Sequence, residues 1–398
     1  MPNKHVKKAP QIMILCLLLL TSCQKQPEAE KVDYASFCHP FTTEKEIPLY
    51  ENGSPAGTIA SGVSVTPLCS DIADGYFSIS ELPYMIYYED VSELEATNSD
   101  QPLYPYIPFD AYAITKADAT LYDTNGIPQY TLHDSFEAQI WIKGEQFYTV
   151  EYYERFYQLA IDQIEQFKAT TAPPPENLAS DVPVLMYHFF YSKANGEKPS
   201  DNNWLEVGQF EEQLAYLKDN GYVTLHMIDL ERFLKGEVQL DDKTLVITID
   251  DGDPTVYKYA YPLLQQYDMI ATTFLVTSWY WWDIDNRIDP HIELQSHSND
   301  MHQGGCTGQH GGLILCIDTA KGVEDLKQST AYTYGAWVFA YPFGDFNDHA
   351  KEILRLADFR LAFTTVYGTV KPGMDLLELP RVRISNEDSL SAFANKIK

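Results

Sequence analysis

From residue 181 onward, short apolar runs alternate with segments of helical spacing, and this alternation limits the fold more than any other feature. Because parallel strands must be joined by crossover segments, usually helices, the pattern predicts a parallel α/β sheet or barrel. In such folds catalytic residues gather at the C-terminal ends of the strands. The predicted strands lie at 182–187, 223–225, 245–249, 271–276, near 293, and at 337–340 and 361–364, with predicted helices at 210–220, 227–234 and 256–267.

A pair of carboxylates stands at the end of one predicted strand. Residues 244–253 read TLVITIDDGD, so six residues suited to a buried strand run directly into Asp250, Asp251 and Asp253. Burying adjacent carboxylates without partners is costly. The stretch therefore indicates either a solvated turn or a site that holds a cation, and Asp253 is predicted to serve the turn alone.

Two later histidines favour the cation. Residues 293–302 read ELQSHSNDMH, which places His297 at the end of another predicted strand and His302 in the first turn of the next helix. Two imidazoles and one carboxylate are a common ligand set for catalytic zinc. A lone histidine is more often structural, so the signal is the joint arrangement. It predicts a divalent metal, with zinc favoured and cobalt or nickel as alternatives.

These motifs resemble the polysaccharide deacetylases of the NodB-homology type, a carbohydrate esterase family. TIDDG at 248–252 is similar to the family's TFDDG motif. Residues 297–302 are similar to its two-histidine motif, although the spacing is five instead of the usual four. A third motif is matched by AYPFG at 340–344. The resemblance covers residues 181–398 and implies a distorted (β/α)7 barrel.

The resemblance also implies a role for each matching residue. Asp250 becomes the general base, and the metal ligands become Asp251, His297 and His302. The backbone N–H of Phe343 becomes the donor to the oxyanion, a large catalytic contribution in such sites.

Two departures from the family pattern need substitutes. The family's Leu-x-His motif, which provides a general acid, is absent from the matching stretch LPRVRIS at 379–385. His188, at the end of the first predicted barrel strand, is a candidate acid, as similar early histidines are in the poly-N-acetylglucosamine branch; a structural histidine is the alternative. The arginine that orients the base is also missing before the third motif, and we expect Arg381, rather than Arg383, to replace it.

Aromatic residues near these motifs are candidates for sugar contacts. Tyr341 and Pro342 belong to the third motif, and Trp279 and Tyr280 follow the strand at 271–276. A plain hydrophobic lid is an equal interpretation of the tryptophan-rich loop. The glycine-rich segment 304–316 is predicted to be an insertion near the site, and its His310 is not expected to bind the metal.

Residues 32–160 have a different, all-β pattern. Runs rich in Tyr, Val, Ile and Thr are broken by Asn-Gly and Asp-Gly turns, and LYENG at 49–53 is echoed by LYDTNG at 121–126. The pattern resembles tandem bacterial SH3-like modules, at 45–97 and at 98–168 with a trailing helix, which implies binding to cell-wall glycan. A Pro-rich linker at 169–180 separates them from the deacetylase domain.

The N-terminus has the character of a targeting segment. A basic region containing Lys4, Lys7 and Lys8 precedes an apolar run at 12–20 that is too short for a stable membrane span. LTSC at 20–23 resembles a bacterial lipobox, which implies a signal peptide at 1–22, lipid on Cys23 and a tether at 23–44. An ordinary secretory signal is the alternative. We therefore expect an exported protein held by lipid alone on the outer face of a bacterial cytoplasmic membrane.

Charge and cysteine content agree with export. The 57 acidic against 28 basic residues give a formal charge of −29, which excludes nucleic acid as a favoured partner. Four cysteines remain after processing, an even set for an oxidising compartment. Sequence proximity favours Cys38–Cys69 and Cys306–Cys316, with free buried thiols as the alternative.

Taken together, the sequence predicts a metal-dependent deacetylase that removes N-acetyl groups from an extracellular or cell-wall polysaccharide of the peptidoglycan or poly-N-acetylglucosamine type. Two alternatives stay open. One is a weakly active or inactive glycan-binding lipoprotein, which the missing Leu-x-His motif favours. The other is an O-deacetylase on an acetylxylan-like glycan.

Overall fold

The structure, a computed structural model, describes residues 40–73, 76–91, 106–169 and 177–398. The predicted signal peptide, lipidated Cys23, Cys38, most of the predicted tether and part of the Pro-rich linker lie outside these residues, as does the side chain of Cys69. Within the described part of the chain, no helix combines the length and apolar character needed to cross a membrane.

The N-terminal region is all-β, as predicted, apart from one short helix. Its elements are β1 (Phe41–Thr42), β2 (Ile47–Glu51), β3 (Ser54–Ile59), β4 (Ser64–Val65), β5 (Pro67–Ala73), β6 (Tyr76–Ile79), β7 (Met85–Tyr87), α1 (Tyr88–Val91), β8 (Tyr106–Ile107), β9 (Ala111–Thr115), β10 (Ala119–Tyr122), β11 (Pro128–Leu132), β12 (Glu137–Lys143), β13 (Phe147–Tyr152), β14 (Arg155–Ala160) and β15 (Ile164–Ala169). Twelve of these strands form one sheet, in the order β15-β9-β12-β13-β14-β10-β11-β3-β2-β7-β6-β5.

The two halves of the internal repeat share this sheet. They meet where β3 pairs with β11, with Ile59 opposite Tyr130. Alternate side chains along the strands enter a common apolar core, as the period of a half-buried strand requires. The predicted tether is too long by several residues, because Phe41 is fully buried and lies in β1, which pairs with β4.

The predicted trailing helix is wrong. Residues 155–169 form β14 and β15, joined by a short 3-10 turn at Ile161–Gln163. The apolar residues of this segment do recur at helical intervals, but Tyr157 and Leu159 are also two apart, so both enter the core from a strand. Pairing of β14 with β13 and of β15 with β9 fixes the extended form, which shows tertiary pairing overriding a local pattern.

The C-terminal region is the predicted parallel barrel. Its elements are β16 (Val184–Tyr187), β17 (Phe189–Tyr191), β18 (Trp204–Glu206), α2 (Val207–Asp219), β19 (Val223–Thr224), α3 (Met227–Leu234), β20 (Gln239–Leu240), β21 (Thr244–Ile249), α4 (Tyr261–Tyr267), β22 (Ala271–Leu275), α5 (Thr277–Tyr280), β23 (Ile292–Ser296), α6 (Thr319–Tyr332), β24 (Val338–Ala340), α7 (Asp348–Leu356), β25 (Leu361–Tyr367), β26 (Leu379–Arg383) and α8 (Leu390–Lys396).

Seven parallel strands close on themselves in the order β16-β26-β25-β24-β23-β22-β21, because β21 also pairs with β16. The short β19 extends the sheet beside β21. All six residues of β21 are buried, as expected for a strand covered on both faces. A π-helical turn at Val256–Ala260 begins the predicted helix that continues as α4. The fold class predicted from the sequence is therefore confirmed.

The N-terminal region contacts the barrel at the end where its strands begin. β8 pairs with β20, which precedes β21, and Ile142 of β12 forms a bridge with Val238. Tyr106 and Ile142 join an apolar cluster with Met227 and Leu230 of α3. Asp250 and Asp251 lie at the opposite end of the barrel, where the strands end.

Candidate active site and metal centre

Three strand ends bring the predicted site residues together. Asp250 and Asp251 directly follow β21, and His188 directly follows β16, its parallel neighbour, in which Tyr187 stands opposite Ile249. His297 directly follows β23. Because these strands run parallel in one barrel, their C-terminal ends lie at the same rim, and the side chains that follow them converge there.

Asp251, His297 and His302 form a compact set of ligand atoms. One atom from each lies within 4.8 Å of the others, and Asp251 Oδ1 is 3.4 Å from His297 Nε2 and 3.3 Å from His302 Nε2. Ligands at about 2.0–2.1 Å from a tetrahedral zinc ion are themselves about 3.3–3.4 Å apart. The buried Asp251 Oδ1 has no hydrogen-bond partner within the described residues. An orphaned oxygen at this spacing from two imidazoles fits a divalent metal.

The backbone at Asp251 has an uncommon conformation. Asp251 and Gly252 have φ values of 68° and 76°, so two consecutive residues are left-handed. Such a conformation is uncommon and costly for a non-glycine residue, and it concentrates at functional sites. Gly252 cannot be replaced freely, because an added Cβ would lie 2.3 Å from Leu275 Cδ2. Its carbonyl accepts a hydrogen bond from the buried Arg287 guanidinium, which holds the turn in place.

His297 is held so that Nε2 faces Asp251. Its Nδ1 lies 2.6 Å from the Ala340 carbonyl, which requires a proton on Nδ1 and leaves the lone pair of Nε2 free. Burial lowers the pKa of His297, but the Asp250 and Asp251 carboxylates outweigh it and raise the pKa above its ordinary value. The pKa of Asp251 is lowered despite its burial, because His297 and His302 favour its charge. The site therefore has a field that attracts positive charge.

Asp250 is paired with Arg381, as the sequence predicted. Both are buried, and the guanidinium donates two parallel hydrogen bonds of 2.7 Å, from Nη1 to Oδ1 and from Nη2 to Oδ2. Burial would raise the pKa of Asp250, but the charge and hydrogen bonds of Arg381 hold it below its ordinary value. Arg381 is itself fixed by the Thr364 carbonyl. Asp250 is thus ionised and oriented at neutral pH.

His188 stands beside this pair. Its Nε2 is 3.8 Å from Asp250 Oδ2, too far for a direct hydrogen bond but close enough for a charge interaction. Burial lowers the pKa of His188, and the neighbouring carboxylates only partly offset that effect. Arg383, the alternative to Arg381, points elsewhere: its guanidinium bonds the Asn203 side chain, although Arg383 also lines the cavity.

The third motif contributes a strained turn. Phe343 has φ 63°, between the buried Pro342 and Gly344, and its ring centroid is 4.6 Å from that of His302. Phe343 lines the cavity. Tyr341 also lines the cavity, but its hydroxyl is committed to the Leu377 carbonyl at 3.0 Å. That hydroxyl is therefore not available to a sugar.

Trp279 and Tyr280, the two predicted sugar contacts in the tryptophan-rich loop, differ in position. Trp279 is 44% exposed, and its ring centroid is 5.1 Å from that of His302, so it stands at the edge of the ligand set. Tyr280 packs instead on the Arg287 guanidinium, 4.4 Å from the ring centroid. Of the two predicted sugar contacts, only Trp279 touches a ligand residue.

The predicted turn and disulfide are present. Asp253 Oδ1 accepts hydrogen bonds from the backbone N–H and the hydroxyl of Thr255, the turn role that was expected.

Cys306 and Cys316 form a disulfide with a Cα–Cα distance of 5.8 Å, which confirms one of the two predicted pairs. The other pair involves side chains outside the described residues.

A cavity of about 350 Å³ joins these groups, and its lining includes three polar residues to which no role in the site was assigned from the sequence. They are Asn203, His310 and Thr365. His310 was excluded as a metal ligand, and its Nδ1 is indeed held by Asp345 Oδ1 at 2.7 Å. Its place on the cavity wall could have been suspected only from the disulfide that encloses it.

Part of the chain is similar to known polysaccharide deacetylases. A family model described as polysaccharide deacetylase matches residues 237–362. The chain is 27% identical over 227 residues to YxkH of Bacillus subtilis (strain 168), a polysaccharide deacetylase by name; the match covers 54% of this chain and 76% of that protein. It is 25% identical over 230 residues to the poly-β-1,6-N-acetyl-D-glucosamine N-deacetylase of Staphylococcus aureus (strain MRSA252), covering 53% and 75%.

Solved structures are also similar to the chain. The structure of IcaB from Ammonifex degensii is 25% identical, with a TM-score of 0.48, and the match covers 55% of this chain and 97% of that one. The deacetylase PplD of Streptococcus pyogenes, in complex with acetate, is 22% identical with a TM-score of 0.47, covering 55% and 98%.

Proposed function

The chain carries a polysaccharide deacetylase domain of the NodB type, and from that premise we propose that it is a metal-dependent N-deacetylase acting on an extracellular polysaccharide of the poly-N-acetylglucosamine type. The observation that carries the proposal is the convergence of Asp251, His297 and His302 beside the ionised Asp250. The similarity to the staphylococcal enzyme supports this glycan over peptidoglycan.

In this proposal Asp251, His297 and His302 hold the divalent ion, with zinc favoured and cobalt or nickel as alternatives. When bound, the ion would supply Lewis acidity toward an acetyl carbonyl and a water molecule. The residues supply an orphaned carboxylate oxygen and two imidazole nitrogens at the spacing that such an ion requires.

The proton transfers belong to Asp250 and His188. Asp250 is ionised and held by Arg381, so it can accept the proton of the attacking water as general base. Arg381 keeps the carboxylate oriented. His188 lines the same cavity, with Nε2 3.8 Å from Asp250 Oδ2, and in its imidazolium form it is the proposed acid that protonates the leaving amine. The backbone N–H of Phe343 is the proposed donor to the oxyanion.

We also propose the predicted context of the enzyme. The lipid anchor on Cys23 would hold the protein on the outer face of a bacterial cytoplasmic membrane. The N-terminal repeats would act as SH3-like modules that bind cell-wall glycan. Support for the modules comes from the all-β architecture of the N-terminal region, and the lipid anchor rests on the LTSC sequence at 20–23.

The experiment that tests the proposal is acetate release from purified protein on a set of glycans. The set contains β-1,6-linked N-acetylglucosamine oligomers, peptidoglycan and acetylxylan, each with and without a chelator. We expect chelator-sensitive acetate release that is fastest on the β-1,6-linked oligomers. Preference for acetylxylan would favour the O-deacetylase alternative.

A glycan-binding protein without activity is the remaining alternative. It predicts no acetate release with zinc or cobalt supplied, and equal glycan binding by the parent protein and by Asp250→Asn. That combined result would contradict the proposed function.

A further inference from the structure

The loop between Cys306 and Cys316 forms part of the cavity wall, and it presents an imidazole that the proposed chemistry does not use. His310 lines the same cavity as Asp250 and the metal ligands. Its side chain is 68% exposed, so a large ligand can reach it. The loop that carries it is closed by the disulfide and by hydrogen bonds from the backbone of Gly305 and Cys306 to the Gly311 carbonyl.

One fully buried carboxylate organises this loop. Asp345, the residue after the third motif, accepts the His310 backbone N–H at 3.1 Å, the His310 Nδ1–H at 2.7 Å and the Gly312 N–H at 2.7 Å. A charged acceptor with three donors is a strong anchor. An added Cβ at Gly312 would lie 2.9 Å from Asp345 Oδ2, so the loop approaches the carboxylate as closely as its backbone allows.

The bond to Asp345 also fixes what His310 can offer. Because Nδ1–H donates a hydrogen bond to Asp345, the lone pair of a neutral His310 ring is on Nε2. An exposed imidazole in a cavity wall, oriented by a buried carboxylate, can accept a hydrogen bond from a hydroxyl group. Sugars supply such hydroxyl groups in every residue.

The loop is continuous with the reacting centre. The same Cβ at Gly312 would be 3.3 Å from the Phe343 ring, and that ring packs on His302. His310 therefore lines the same cavity as the reacting centre, while the converging ligand atoms are those of Asp251, His297 and His302. A sugar next to the reacting one is the part of a polysaccharide that would meet it.

We propose that His310 is a substrate-binding residue that accepts a hydrogen bond from a hydroxyl group of the sugar adjacent to the one being deacetylated. Asp345 is its positioning residue, and the Cys306–Cys316 disulfide keeps the loop in the binding conformation. This inference rests on the proposed function, and it adds a second sugar position to that site.

The test compares a long substrate with a short one. Acetate release is measured on a β-1,6-linked N-acetylglucosamine pentamer, and hydrolysis is measured on 4-nitrophenyl acetate, which reaches the centre but has no neighbouring sugar. For His310→Ala we expect KM for the pentamer to rise about tenfold, the effect of one lost hydrogen bond to an oriented group, with kcat within about twofold. The ester should be hydrolysed as by the parent protein.

The matched control is His133→Ala. His133 is also a half-exposed histidine whose Nδ1 is held by an aspartate, at 2.9 Å from Asp118 Oδ1, but it lies in the N-terminal region. This variant should leave both reactions unchanged. If His310→Ala has the pentamer KM of the parent protein, or lowers kcat for both substrates equally, the proposal is overturned. A parent protein inactive on every acetylated glycan overturns the proposed function and this inference with it.

A double-mutant cycle tests the role of Asp345. Asp345→Asn should raise KM for the pentamer in the parent background and have little further effect in the His310→Ala background, because Asp345 acts through His310. Independent, additive effects would show that Asp345 is merely structural. Replacing both cysteines, as Cys306→Ser with Cys316→Ser, should raise KM several-fold while bound zinc stays at the parent level. An unchanged KM would show that the disulfide is not needed to keep the loop in the binding conformation.

Discussion

Each end of the barrel carries histidine and carboxylate groups, but only one end has the features of an active site. Where the strands end, Asp251 Oδ1 faces two imidazoles and has no hydrogen-bond partner within the described residues. Where the strands begin, His226 lies 3.7 Å from Glu293, and both Glu293 oxygens have partners, among them the Met227 N–H and the Gln295 amide. The Glu293 oxygens are satisfied by their neighbours, whereas an orphaned buried oxygen that faces two imidazoles is explained by a bound ion.

The surroundings of the two ends differ in the same way. The end where the strands begin contacts the N-terminal region, and Tyr106 donates a hydrogen bond to Asp229 of α3 there. A cavity opens at each end, and the cavity at the opposite end is the one lined by the converging Asp251, His297 and His302. Substitutions at the two ends should therefore separate activity from stability.

The largest expected effect is that of His297→Ala. We expect bound zinc to fall to background and acetate release to decrease by more than about 10⁴-fold, because the Lewis acid is lost and Asp250 no longer has an activated water to deprotonate. Metal analysis and an acetate assay check this. The matched control is His226→Ala at the other end of the barrel, which should alter acetate release by less than about twofold. If His226→Ala lowered acetate release as much as His297→Ala does, the two ends of the barrel would not differ in function.

Asp250→Asn should have the next largest effect. Loss of the general base lowers kcat by about 10²–10⁴-fold. Zinc content should stay at the parent level, because Asp250 is not one of the three converging ligands. Parallel measurement of zinc and kcat tests this, and loss of zinc together with activity would move Asp250 into the ligand set.

Arg381→Met should lower stability as well as activity. Removing one partner of a buried pair leaves an uncompensated charge and costs about 3–5 kcal/mol. Arg381 lowers the Asp250 pKa, so the pair stabilises the fold above the unfolded carboxyl pKa of about 3.9, and this contribution is lost as the pH falls through the folded pKa. Denaturant unfolding should show the largest difference from the parent protein at neutral pH and a smaller one below about pH 4. A constant difference across that range would argue against the charge pairing.

The smallest effect is expected for Tyr106→Phe. It removes the hydroxyl that bonds Asp229 where the N-terminal region meets the barrel, and it should lower the free energy of unfolding by about 1 kcal/mol. The kcat and KM for the pentamer should stay at parent values. A change in either constant would mean that the end where the strands begin communicates with the site.

Sequence reasoning located the parts of the site that depend on strand ends. Asp250, Asp251 and His297 each follow a predicted strand, and the parallel arrangement then brings them to one rim. Arg381 was predicted because the family resemblance implies an arginine that orients the base, and its two bonds to Asp250 agree with that expectation.

The features that the sequence did not predict depend on contacts between distant segments. His310 and Asp345 are 35 residues apart. Nothing in the local sequence indicates that His310 pairs with the aspartate that follows the third motif. The trailing helix predicted over 152–168 is wrong because local spacing cannot reveal the pairing of β14 with β13. The same limit applies to Tyr341, whose predicted sugar contact gives way to the Leu377 carbonyl.

Zinc titration of metal-stripped protein, with acetate release measured at each step, tests most directly whether Asp251, His297 and His302 hold a catalytic metal ion. We expect stripped protein to be inactive and its activity on the pentamer to rise to a plateau at one zinc ion per chain. His297→Ala should not recover activity. Full activity in stripped protein that contains no metal would contradict a catalytic role for the metal.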